Sequence, residues 1–87
     1  MDLRALLKQV KSDGASDLHL NAGSRPTARI DVSLQILNNY EILKSEYLKS
    51  LTSEITSENQ RDILEKRHEL DLAYFIPDVG RFRVNVT

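Results

Sequence analysis

Hydrophobic and polar residues alternate most strictly near the C-terminal end. In GRFRVNV (residues 80–86), Phe82, Val84 and Val86 share one side while Arg81, Arg83 and Asn85 share the other. A period of two predicts a strand. Leu70, Leu72, Tyr74 and Ile76 alternate in the same way just upstream, with Pro77 to Val79 as the turn between the two runs. Opposed residues of a hairpin share a face, so placing Leu72 and Tyr74 with Phe82 and Val84 requires an odd loop, Pro77-Asp78-Val79. That register sets Arg83 opposite Ala73 and diagonal to Asp71, and Arg81 opposite Phe75.

The first residues follow a different period. Leu3, Leu6, Leu7 and Val10 fall at i, i+3, i+4, i+7, which predicts a helix whose first free amides Asp2 can accept and which Gly14 stops. From Asp17 to Asn21 the period returns to two, with Leu18 and Leu20 inward and His19 outward; Ala22 to Pro26 reads as a turn. Thr27 to Asp31 forms a second strand with Ala28 and Ile30 inward and Arg29 outward. A tight turn at Asp31, Val32 and Ser33 leads to Leu34 and Ile36 in a third. A primed turn needs positive φ, which β-branched Val32 resists, so Val32 lies outside the turn centre or costs stability.

After Asn38 and Asn39 the pattern is helical again, with Ser45 as N-cap and Leu48, Leu51 and Ile55 along one stripe. Ser57 and Gln60 have the spacing of a capping box for a further helix. Ile63 and Leu64 supply its apolar face, and Lys66, Arg67 and His68 suit the negative end of its dipole. The order is helix, three strands, two helices and two strands: an α+β domain with about three helices and a mainly antiparallel sheet.

Eighty-seven residues hold one domain, here residues 1–87, and 40% hydrophobic with 29% charged residues describes a folded chain. Twelve basic against thirteen acidic residues give a net charge of -1, so no global field draws in nucleic acid or an anionic membrane. Any anion site must be local. The absence of cysteine excludes disulfides and thiolate metal sites, and with no long apolar run or signal peptide the expected location is cytoplasmic.

The usual catalytic constellations are missing: no phosphate-binding glycine loop, no nucleophile elbow and no pair of histidines at metal spacing. His19 and His68 lie in different elements, so no metal site is expected, and Glu65, Glu69 and Asp71 read as charged surface. The chain alone is not expected to be an enzyme. Arg81 and Arg83 carry two readings. As ordinary strand residues they pair with Asp71 or stack on Phe75. As functional residues they recognise phosphate, because guanidinium stays charged and presents a planar fork of donors. Arg29 joins them if its strand lies nearby. The strand lacks the exposed aromatics and glycines of an RNA-binding sheet, so no nucleic acid is expected.

Three stretches, GASDLHLNAGSRPTARIDVSL (residues 14–34), QRDILEKRHE (60–69) and ELDLAYFIPDVGRFRVNV (69–86), resemble the N-terminal domain of the type IV pilus retraction ATPases, the PilT family. The most specific parts are Ala15-Ser16-Asp17-Leu18-His19-Leu20 followed by Ala22-Gly23, and Arg81-Phe82-Arg83-Val84-Asn85. Related extension and secretion ATPases usually carry an acidic residue and a proline after the His-containing strand, so Asn21-Ala22-Gly23 favours the retraction branch.

The resemblance implies a PAS-like domain preceding a RecA-like ATPase domain that is absent from these residues. It implies a homo-hexameric motor at the inner-membrane pilus base, in which this domain packs on the ATPase domains of its own and a neighbouring subunit. There ATP, with Mg, drives pilus retraction and twitching motility. It further implies that Arg83 and Arg81 approach the nucleotide phosphates, Arg83 above all, with Arg29 as an additional position. The chain departs from the family at Asp31-Val32, where an Asp-Gly turn is usual, and the family continues past Thr87 into a linker. An unpaired sheet edge is expected to allow self-association or strand swapping. The alternative is a PAS-like interaction or ligand-sensing module unrelated to a motor, although inward Leu, Ile, Val and Phe point to a packed core rather than a ligand cavity.

Overall fold

Leu3, Leu6, Leu7 and Val10 are all buried along α1 (Leu3–Ser12) in the computed structural model, which describes residues 3–77 and 79–87. Asp2, the expected cap of this helix, and Asp78 of the last turn lie outside the described residues. Gly14 follows with φ 89°, a left-handed conformation that glycine adopts without a Cβ clash, and swings the chain into β1 (Ala15–Leu20). The remaining elements are β2 (Thr27–Ile30), β3 (Ser33–Ile36), α2 (Ser45–Ser53), α3 (Glu58–Arg67), β4 (Leu70–Ile76) and β5 (Gly80–Val86). The strands form one sheet in the order β3-β2-β1-β5-β4. Every neighbouring pair is antiparallel except β1 and β5, which run parallel.

β1 does not keep a simple alternation. Ala15 pairs with Ile30 and Asp17 with Arg29, so Ser16 is an extra residue on β1. This bulge lets Ala15 and Leu18, three positions apart, both face the core, which a regular period of two forbids. The β2–β3 hairpin closes through Asp31 and Val32, between the paired Ile30 and Ser33. Val32 therefore does sit at the turn centre. Asp31 takes the positive φ, 58°, while Val32 is not among the positive-φ residues and projects into solvent. Asp tolerates that conformation better than a β-branched residue, so the turn avoids the worst conflict its sequence poses.

That two-residue loop also decides a face. Opposed residues share one, and Arg29 opposes Leu34 while Thr27 opposes Ile36, so Leu34 and Ile36 stand on the outer side of the sheet with the polar residues. All four residues of β3 are exposed.

α2 starts one residue earlier than its capping pattern suggests. Lys44, in extended conformation, holds the N-cap position without a side-chain hydrogen bond, and Ser45 is the first helical residue rather than the cap. Leu48 and Leu51 are buried as the stripe requires; Ile55 falls beyond the helix and is half-buried, and Thr52 completes the buried face. The Thr52 hydroxyl is satisfied by donating to the Leu48 carbonyl at 2.9 Å. α3 carries the capping box in full: Ser57 Oγ accepts from the Gln60 amide at 3.2 Å and Gln60 Oε1 accepts from the Ser57 amide at 2.9 Å. His68 ends it in a left-handed conformation with φ 58°.

The core lies between one face of the sheet and the helices. Leu18, Leu20, Ala28, Leu72, Phe82, Val84 and Val86 join the buried leucines and valine of α1 and Leu48 and Leu51 of α2. Leu43 reaches it from the connecting segment, pinned by its amide donating to Ser24 O at 2.9 Å and its carbonyl accepting from Gly23 N at 2.7 Å.

Leu18→Ala is expected to cost about 2–5 kcal/mol, since the residue is fully buried between neighbours that cannot collapse. Leu34→Ser is expected to change stability by less than about 0.5 kcal/mol because it removes little buried area. Urea denaturation of both variants checks the assignment of the two faces.

Candidate functional site on the open sheet face

The side of the sheet away from the helices is built from outward residues of all five strands. Register aligns them in two rows. One runs Leu34, Arg29, Asp17, Arg83, Ala73, and the other Ile36, Thr27, His19, Asn85, Asp71. Asp17 thus falls between two arginines that are far apart in sequence, because β1 separates β2 from β5. Arg81 lies further along β5, opposite Phe75. The three arginines singled out from the sequence share one face, and acidic residues are interleaved among them.

Two ion pairs result. Arg29 Nε lies 3.7 Å from Asp17 Oδ2. Arg83 binds Asp71 side-on, Nε donating to Oδ2 at 3.2 Å and Nη2 donating to the same oxygen at 2.7 Å. Of the two readings open for Arg83, the structure contains the cross-strand pair with Asp71. Side-on contact uses the Nε flank of the guanidinium and leaves its Nη1 end without a partner among the described residues. Arg81 has no ion pair or ring contact among the described residues, so the stacking on Phe75 is absent.

Electrostatics follow from this geometry. The hydrogen bond from Arg83 holds the Asp71 carboxyl below its usual range against the opposing effect of desolvation, with the guanidinium charge and His19 adding to the lowering. Arg83 is in turn pushed up by its bond to Asp71. The Arg83 side chain remains 67% exposed, so the pair is screened by water and contributes little to stability. A shallow depression of about 250 Å³ sits over the pairs, lined by Asp17, His19, Arg29, Asp71, Arg83 and Asn85.

His19 and His68 are not brought together: His19 is on the open face, and His68 caps α3 beside the crevice between α2 and α3. No group of three His, Cys, Asp or Glu side chains suited to a metal occurs among the described residues. Sequence reasoning missed Asp17, whose place between Arg29 and Arg83 depends on a strand order that periodicity does not carry. It also missed Lys11, whose Nζ stands 5.9 Å from the centre of the Phe82 ring at the start of β5.

No family model matches the chain. The chain is 38% identical over 85 residues to the type IV pilus retraction ATPase PilT of Pseudomonas aeruginosa, an alignment covering 98% of this chain and 24% of that protein. It also superimposes with a TM-score of 0.77 and 34% identity on a crystal structure of the pilus retraction motor PilT with bound ADP, covering 98% of this chain and 25% of that one. This chain is an N-terminal domain of the PilT family. It spans about a quarter of the length of the relatives it matches. The α+β fold, three helices over a mostly antiparallel five-stranded sheet among the described residues, matches that of the PilT N-terminal domain. No described helix of the domain is long and apolar enough to cross a membrane.

A carboxylate whose pKa is depressed on folding stabilises the folded state above its unfolded pKa, and that stabilisation is lost as pH falls through the depressed value. Asp71→Asn is therefore expected to lower stability slightly at neutral pH and to flatten the acid limb, the two proteins converging once Asp71 is protonated. Urea midpoints from about pH 7 to about pH 2 test this; equal differences at every pH would mean that the charge of Asp71 is immaterial.

Proposed function

We propose that this chain is the N-terminal domain of a hexameric, ATP-driven motor that retracts type IV pili and so powers twitching motility. In this reading it works in the cytoplasm at the inner-membrane pilus base. It packs on the ATPase domains of its own and a neighbouring subunit, and Arg83, with Arg81 beside it, meets the phosphates of the nucleotide held there with Mg. The observation that carries the reading is the 38% identity, along nearly the whole chain, to a protein named for pilus retraction.

The local chemistry supports the assignment of the arginines. Arg83 keeps the Nη1 end of its fork unengaged while Asp71 steadies the Nε flank, so the guanidinium can meet a second anion without first being ordered. Arg81 projects from the same face two residues earlier on β5 and adds positive charge without a carboxylate of its own among the described residues. Arg29 lies on the far side of Asp17 and engages it, which places it at the margin of such a contact. A guanidinium aimed at a phosphoryl group stabilises the charge that develops during transfer. With no phosphate-binding loop of its own, the domain in isolation is not an enzyme in this reading and acts on nucleotide bound elsewhere.

Arg83→Ala in the full-length protein is expected to lower the ATPase rate on the order of 100-fold, as loss of a direct donor to a transition-state oxygen does. The same substitution in the 87-residue chain is expected to leave its melting nearly unchanged, since the ion pair is exposed. An unaltered ATPase rate, or a fall no larger than the accompanying loss of folded protein, would remove Arg83 from the nucleotide site.

A further inference from the structure

β3 closes the sheet at the edge opposite β4, and its outer side has no strand partner among the described residues. Its hydrogen-bonding phase is fixed. Leu37 N–H donates to Pro26 O at 2.9 Å, making Pro26 and Leu37 a hydrogen-bonded pair, and antiparallel pairs alternate from there. Gln35 and Ser33 therefore exchange bonds with Ala28 and Ile30 of β2, while Leu34 and Ile36 turn their amides and carbonyls toward the free edge. The side chains of the same two residues stand on the open face, 52% and 61% exposed.

Proteins usually guard such an edge with a lysine, a proline, a charge or a bulge. Ser33–Ile36 has none of these: it reads Ser-Leu-Gln-Ile and pairs with β2 without irregularity. The nearest charge on the adjoining strand, Arg29, is taken up by Asp17.

We propose that β3 pairs antiparallel with β3 of a second copy of this chain, about a two-fold axis through Gln35 and perpendicular to the sheet, joining two five-stranded sheets into one. In this register Leu34 of one copy faces Ile36 of the other, so every outward backbone group of both residues finds a partner. A slip of two residues in either direction instead sets Leu34 against itself, with Val32 of the turn opposite Ile36, or Ile36 against itself, with Asn38 opposite Leu34. Each slip leaves only one of the pairs wholly within β3 and halves its hydrogen bonds. The two-fold also places both open faces on one side, where Leu34 and Ile36 of opposite copies cover each other as a cross-strand apolar pair. Gln35 meets its own copy across the axis in a non-hydrogen-bonded pair. The interface falls below the size of stable complexes, so association is weak and appears only at high protein concentration. It is independent of the arginine assignment.

The chain has no cysteine, so single-cysteine variants report the register directly. With oxidised glutathione, Gln35→Cys is expected to form a disulfide-linked dimer readily, because a non-hydrogen-bonded pair sets its Cα atoms about 4.5 Å apart, within disulfide reach. Leu34→Cys and Ile36→Cys alone place their own copies diagonally, about 7–8 Å apart, and are expected to link at least about tenfold more slowly. A mixture of those two variants is expected to link with each other. Adding Ile36→Lys to Gln35→Cys is expected to abolish the linkage, and circular dichroism of each variant confirms that the fold is retained. Sedimentation of the unmodified chain is expected to show a mass that rises with concentration. Gln35→Cys linking no faster than Leu34→Cys, linkage that survives Ile36→Lys, or an unmodified chain that stays monomeric at millimolar concentration would each overturn the proposal.

Discussion

The parallel pairing of β1 with β5 governs both faces of the sheet. It sets Leu18 beside Val84 and Leu20 beside Val86 toward the helices, and in the same register Asp17 beside Arg83 and His19 beside Asn85 on the open side. A slip of one residue would bury the charged set and expose the apolar one, so the core enforces the arrangement of the polar residues. The pairing joins segments from opposite ends of the chain, and the entropy of closing that long loop is offset only when both hairpins and the helices above them pack together. The buried residues of α1, β1, β5 and β4 thus form one cooperative unit.

On the open face, charge is balanced locally rather than merely in total. Arg29 is matched by Asp17 and Arg83 by Asp71, while Arg81 has no such partner among the described residues. Exposed pairs of this kind hold side chains in place more than they stabilise the fold. The positive potential is accordingly concentrated toward the Arg81 end of β5 and the outward tip of Arg83, not spread over the sheet. A net charge near zero is therefore compatible with a small, directed anion-binding surface.

Much of this was legible in the sequence because it depends on local spacing. The stripe of α1, the capping box of α3, the three-residue loop after β4 and the diagonal of Arg83 to Asp71 all follow from periodicity and hairpin parity. What escaped depends on partners remote in sequence. The position of β1 between β2 and β5, and with it the role of Asp17, is a matter of strand order that no local pattern contains. The bulge at Ser16 left only a faint trace in the three-residue spacing of Ala15 and Leu18. Ser45 read as a cap because serine favours that position, yet the extended residue before the helix is Lys44. Leu34 and Ile36 alternate like any half-buried strand, and only the even loop at Asp31-Val32 turns them outward.

The interior position of β5 has a mechanical consequence. Both its sides are hydrogen-bonded, to β1 and β4, and the bonding continues past its end, where the Thr87 amide donates to Leu20 O at 3.0 Å and its carbonyl accepts from Ala22 N at 3.2 Å. Tension applied at Thr87 along the strand axis loads these bonds in shear, so they must yield together rather than unzip one at a time. The strand that carries Arg81 and Arg83 is thus held along both of its edges, and a pull or push at its end is passed directly to β1 and β4.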